Sequence, residues 1–483
     1  MQLRTAAITA MAFLACACAP QEARFDPLTL PPANFEGELR ARFYFPPPQP
    51  APPTVADRAE GQALDAAYFA GFPDLDRAYS PEARERAKAL AHDLVRDAST
   101  LSHEAFVLRA MEITALADNG HTAIGEYAWQ KNTPRVPVRA YPFADGLHIL
   151  RARTENADLL GARVDAIDGR PVEEVFQGLR RYAGGNDAHR RTRLLPLLES
   201  PAFLAEAGLA RERHALTYSG VLADGRPFER RIEAEDRDRA APVAGSERLL
   251  FPSDPAGALH MSSFFPLDAA LPVSLQERTR LFTVATLPSN GLYVALRDNL
   301  GNDGESLPAF LAGVLERCAR DKPAFVVVDF RMDGGGNYTL SHPYVVALAE
   351  LVRDKGRLYA LTSNWTFSAA ITTVAALKTF ARGHVTIVGE PVGDRLDFWA
   401  EGGALPLPNI PANAYYETGR HVYDGPCDAI DCFWVNRFYP VWVNTLDPDI
   451  PAPLTFAAYR ARRDPALEAV LAREKDAKPA RLP

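Results

Sequence analysis

Ser368 is the side chain in this sequence best placed to do chemistry. It lies in NWTFSAAITTVAALKTFARG, where the segment RLYALTS, read as a strand, passes through a turn into a helix. A hydroxyl at a helix start sits beside backbone N–H groups that lack intrahelical acceptors, and such donors can hold the oxyanion of an acyl-transfer reaction. One donor of this kind contributes roughly 3 kcal/mol of transition-state stabilisation. The same position suits a plain helix cap, the usual role of serine there, and the segment alone leaves both roles open. A second feature is the run Gly334, Gly335, Gly336 directly after AFVVVDF. Glycine admits positive φ and close approach of another group, so this turn can present a further N–H donor. A histidine, His121, follows Asn119 and Gly120 at the end of a helical stretch. Both residues tolerate the left-handed conformation that ends helices, so His121 is expected on a tight turn and not on a packed face.

The elements that must position these residues can be read from periodicity. AFVVVDF is a continuous apolar, β-branched run, the pattern of a strand buried on both faces. YVVALAELVRDKG reads as a helix closed by Gly356, RLYALTS as a second strand, the segment after Ser368 as a second helix and HVTIVGE as a third strand. Strand, glycine turn, helix, strand, serine turn, helix, strand is the order of a parallel α/β layer. Ser368 then stands at the carboxyl ends of the strands, where open α/β sheets build their sites. NGLYVAL is the first strand of this layer, reached from Phe282–Val294, and DPALEAVLA is a closing amphipathic helix. Upstream, PEARERAKALAHDLVRDAST and SHEAFVLRAMEITALAD carry apolar residues at helical spacing.

DFRMDGGGN resembles the D-x-R-x-N-x-G-G segment of the tail-specific (C-terminal processing) protease family, and TFSAA resembles its nucleophile segment. The resemblance covers most of the chain after Asp57. It implies a crotonase-like α/β catalytic domain with Ser368 as nucleophile and the amides of Gly335 and Ala369 as oxyanion hole. Asp333 stands where the family usually has Asn, a departure expected to matter little. Asn119, Gly120, His121 and Thr122 resemble the D-G-H-T segment of the branch related to the tricorn protease core, which makes His121 the general base. The other branch places a lysine about 25 residues after the serine, at Gly393 here, and Lys378 lies inside the helix. A carboxylate normally orients the imidazole of such a pair. The family's glutamate precedes a GVxPD segment whose counterpart, VWVNTLDPDI, has none nearby. Glu401 ranks first as the third member, ahead of Asp397 and Asp424. LLGARVDAIDGRPVEEV resembles the second half of a PDZ-like module, with Asp168 and Gly169 as a hairpin turn. The glycine-rich loop that would hold a peptide carboxylate in such a module is not evident.

Length and charge narrow the alternatives. The 483 residues, 47% of them hydrophobic, can bury a large core. A net charge of −8 without a basic run argues against a nucleic-acid surface, and no Walker-type loop, CxxC pair or HExxH motif implies a nucleotide or metal, so no cofactor is expected. Met1–Ala15 has one charge, Arg4, and an apolar run too short to span a bilayer. It ends at Cys16 and Cys18 and resembles a lipoprotein signal, with ordinary signal-peptide cleavage as the alternative. The expected divisions are a signal over 1–18, a proline-rich linker over 19–55 and a helical region over 56–122. A PDZ-like or cap region over 123–245, the catalytic domain over 246–465 and a tail over 466–483 follow. Cys427 and Cys432 are expected to form a local disulfide, as suits an exported protein, and Cys318 to stay free in a helix. Trp399 and Tyr415 are candidate substrate contacts. The combined expectation is an exported, lipid-anchored serine peptidase of the bacterial envelope acting on peptide or protein substrates. A non-catalytic binding protein of the same fold and an esterase or amidase are the alternatives.

Overall fold

The continuous apolar runs do form buried strands. Phe325–Asp329 and Gly291–Leu296 are buried at every position. They join a six-stranded sheet in the order Ile450–Pro451, Val385–Gly389, Arg357–Thr362, Phe325–Asp329, Gly291–Leu296, Phe282–Leu287. Every neighbouring pair is parallel except the last, where Phe282–Leu287 runs antiparallel to Gly291–Leu296. The structure is a computed structural model that describes residues 50–125, 133–236, 246–253, 260–352, 357–427 and 431–476. The signal-like start with Cys16 and Cys18, most of the proline-rich segment and the helix stop at Gly356 lie outside the described residues. Among the described residues no helix is long and apolar enough to cross a membrane.

Helices Leu307–Asp321, Tyr338–Val352 and Ala369–Phe380 connect the parallel strands. The second starts earlier than the periodicity predicts and runs through Pro343. Leu348, Val374 and Leu377 pack with Val326, Val328 and Ala360 into the core on one face of the sheet. On the other face, Tyr359 and Val388 pack against Leu467 and Val470 of the closing helix Pro465–Asp476. Arg357 and the Tyr359 hydroxyl both donate to Glu474, which fastens that helix to the sheet. At the carboxyl ends of the strands Arg331 lies between Asp329 and Asp464, donating to both, while Tyr293 donates to Asp329 and Ser274 to Asp464.

The middle of the chain is an antiparallel sheet ordered Val138–Phe143, Gly146–Ala152, Arg163–Ile167, Ala215–Val221, Pro227–Glu233. Asp168 and Gly169, both at positive φ, turn the chain from Arg163–Ile167 into Arg170–Pro171 as the hairpin signal predicts. The helices Val172–Leu179, Asp187–Leu194 and Pro201–Glu206 are inserted before Ala215.

The N-terminal arm is helical, with Ser80 and Ser102 capping Pro81–Asp97 and His103–Ala115 by accepting from Ala83 and Ala105 N–H. Asp65, wholly buried, ties the arm to the hairpin Gly403–Leu407/Ala412–Tyr416 by accepting from Asn409 and Ile410 N–H. Cys427 and Cys432 are paired as a disulfide, and Cys318 is free and buried.

Candidate active site

Ser368 immediately precedes the helix Ala369–Phe380 with φ 55° and ψ −125°. That conformation costs a non-glycine residue about 1–3 kcal/mol and persists only where the surroundings enforce it. Its hydroxyl caps no helix N–H, so the side chain is released from the role that serine usually plays there. The Ala369 N–H has no acceptor among the described residues and is available at the helix start. Gly335, at φ 110°, lies against the serine: a Cβ built on it would sit 2.5 Å from Ser368 Cβ. Only glycine fits there.

The Gly335 N–H does not stand free. It donates to Asp333 Oδ1 at 3.0 Å, while Asn299 Nδ2 donates to Asp333 Oδ2 at 2.6 Å. The expectation that Asp333 would matter little is therefore corrected, because its carboxyl occupies one of the two expected oxyanion donors. Burial holds that carboxyl well above its usual range, with the bond from Gly335 N–H opposing the shift.

His121 does not sit on an open turn. Its ring stacks on Phe367, the residue before Ser368, at 4.4 Å between centroids, and on Phe398 at 5.3 Å. Phe367 stacks in turn on His189 at 4.5 Å, and Phe398 on His421 at 5.0 Å. Five rings thus follow one another in the order His189, Phe367, His121, Phe398, His421. The side chain of His121 is 14% exposed, and both ring nitrogens are buried without a hydrogen-bond partner. Burial, aided by the nearby His421 and Arg193, lowers its pKa to about 3. No hydrogen bond joins His121 to Ser368.

The turn itself is built differently from the expected one. The helix ends at Ala115, and the left-handed residue is Asp118, not Asn119 or Gly120. Asn119 acts as a surrogate peptide group: its Oδ1 accepts from Trp399 N–H and its Nδ2 donates to the Trp399 carbonyl, both at 3.0 Å. Its Nδ2 also reaches Thr122 Oγ1, which donates to buried Asp76. An aspartate, as in the family segment, could accept but not donate. Gly120 is needed for space, because a Cβ there would meet Asp394 Oδ2 at 2.6 Å.

Asp394 is the carboxylate beside His121, with Oδ2 3.9 Å from Nδ1. It is 4% exposed, that oxygen has no hydrogen-bond partner, and burial raises its pKa to about 7. Glu401 lies instead at His421, 3.6 Å from Nε2. Asp397 pairs with Arg420, and Asp424 is exposed. Sequence reasoning missed Asp394. It follows Gly393, where the other branch would place a lysine, and of the three acids in PVGDRLDFWAEGG it is the one that the ranking of Glu401 and Asp397 left out. Trp399 reaches the site through its backbone, and Tyr415 is 40% exposed.

No family model matches the sequence, and no curated protein matches it. Among solved structures, mature CPAF complexed with lactacystin is 11% identical over 86% of this chain and 98% of that one, with a TM-score of 0.52. Mature CPAF alone gives the same identity and TM-score over 88% and 99%. The photosystem II D1 C-terminal processing protease aligns over 83% and 94% at 12% identity, with a TM-score of 0.34. In fold, therefore, the chain is similar to mature CPAF over most of both chains.

Proposed function

We propose that the chain is an exported serine-type peptidase in which Ser368 attacks the peptide carbonyl and His121 takes its proton. The observation that carries this reading is the strained backbone of Ser368, with its hydroxyl uncommitted and an unpaired helix N–H next to it. A backbone strain of this size is expected where chemistry uses it and is otherwise a stability cost with no return. The Ala369 amide donates to the oxyanion. The Gly335 amide joins it once the peptide turns from Asp333 to the substrate oxygen. His121, neutral at pH 7, accepts the serine proton and returns it to the leaving amine. Asp394, once ionised, steadies the imidazolium from the Nδ1 side, the role that the sequence assigned to Glu401. Water then releases the acyl group. The Cys427–Cys432 disulfide supports export, since such bonds persist outside the reducing cytoplasm. The middle antiparallel sheet is the PDZ-like or cap region of this peptidase.

Two observations favour a non-catalytic binding protein of the same fold: the Gly335 amide is engaged, and His121 is not bonded to Ser368. Labelling with a fluorophosphonate decides between the two. The peptidase reading predicts covalent labelling at Ser368, none in Ser368→Ala and much slower labelling in His121→Ala. A parent protein that resists the reagent sinks the peptidase reading.

A further inference from the structure

A cleft lies at the carboxyl ends of the parallel strands, bordered by Leu296, Asp329, Thr362 and Gly389 and roofed by Tyr141 of the middle sheet. It encloses about 810 Å³ of space outside atoms, its open mouth included. Neither Ser368, His121, Gly335 nor Ala369 lines it. The cleft shares walls with the loops that carry Ser368 and the glycine turn, through Ser363, Trp365 and Met332.

Its lining has a definite chemistry. Trp365 donates its indole N–H to Tyr141 Oη, Tyr459 donates to the Leu250 carbonyl and Tyr293 donates to Asp329. These aromatic residues spend their polar ends within the wall and leave mainly ring surface for an occupant. Most of the charged side chains are engaged. Arg331 lies between Asp329 and Asp464, Arg463 pairs with Glu468, and Arg297, with no ion pair among the described residues, donates to the backbone carbonyls of Glu277, Arg280 and Gln276. Glu390 is the lining acid left over. It accepts from the backbone N–H of Leu454 at 3.3 Å and has no side-chain ion pair among the described residues. Burial raises its pKa, with the backbone N–H groups of Leu454 and Asn364 and the charge of Arg331 opposing the shift.

We propose that this cleft is a binding site for a small apolar, aromatic amine, with the ammonium group at Glu390 and the rings of Trp365, Tyr141 and Tyr459 around the apolar body. An ammonium group gains both from the carboxylate and from the aromatic faces, whereas a carboxylic acid would meet Glu390 with like charge. An apolar cleft with a few convergent polar groups is the usual form of a small-molecule site. The proposal concerns binding and is independent of any reaction at Ser368.

The test is calorimetric titration of the full chain with tryptamine as probe and indole-3-propionate as its anionic counterpart. Tryptamine is expected to bind with a Kd of ~1 mM or tighter, and indole-3-propionate at least ~10-fold more weakly. Glu390→Gln should weaken tryptamine by about 10-fold, and Ala452→Trp, which fills the cleft, should abolish binding. Hydrogen exchange of the parent protein, which needs no variant to fold, should slow at residues 362–366 and 452–454 when tryptamine is present. Absence of tryptamine binding overturns the site, as do equal binding of the acid, slowed exchange confined to other segments, or full affinity in a folded Glu390→Gln protein.

Discussion

At the scale of single residues, the buried pair His121 and Asp394 governs how the proposed reaction depends on pH. Burial lowers His121 to about 3 and raises Asp394 to about 7. The imidazole is thus a neutral base well below its ordinary pKa of ~6.5, and it is lost only as pH falls towards the lowered value. Asp394 acts with the opposite sign. Its charge appears as pH rises through about 7, 3.9 Å from Nδ1, where it favours the imidazolium formed in the transition state. The pH profile of kcat/KM for peptide hydrolysis should therefore keep activity below pH 6 and gain a second rise near neutrality, which Asp394→Asn removes. A single acid limb at ~6.5 in both proteins would show that His121 is solvated in the working state. The placement of Ser368 and Gly335 at two strand-to-helix turns was legible because glycine runs and small residues after buried strands have few other uses. The commitment of the Gly335 amide was not legible, since it depends on where the Asp333 carboxyl turns.

At the scale of elements, the His121 turn is held by an amide that imitates a peptide bond. Asn119 pairs with both backbone groups of Trp399, on the strand Asp397–Ala400, and with Thr122. Asn119→Asp keeps the acceptor and loses both donated bonds. It should cost about 1–3 kcal/mol in urea unfolding and lower kcat through misplacement of His121. Asn119→Asp with unchanged stability would mean that the pairing contributes nothing to the folded state. The helix before this turn could be placed from its apolar spacing. Its ending was misassigned because Asp118, Asn119 and Gly120 can all adopt positive φ, and Asp118 is the one that does. Likewise the five stacked rings come from five separate segments, so no local pattern announces them.

At the scale of the whole molecule, the parallel layer was legible from its apolar runs, while the ties that close it were not. Asp464 lies far along the chain from Asp329, yet both hold Arg331. Arg331→Met would leave two buried carboxylates without their partner, a loss of about 3–5 kcal/mol, seen as a lowered denaturant midpoint. An unchanged midpoint would show that the cluster is not under stress. The same long-range folding brings the helical arm, with His121, against the loop before Ser368, and the account's central claim is that these two residues act as one unit. The most direct measurement is a double-mutant cycle on peptide hydrolysis. Ser368→Ala, His121→Ala and the double variant should each lose on the order of 10⁴ to 10⁶ in kcat and lose about equally, because an unactivated serine is little better than none. Single losses that multiply in the double variant would contradict the claim, since they would place the two residues in separate steps.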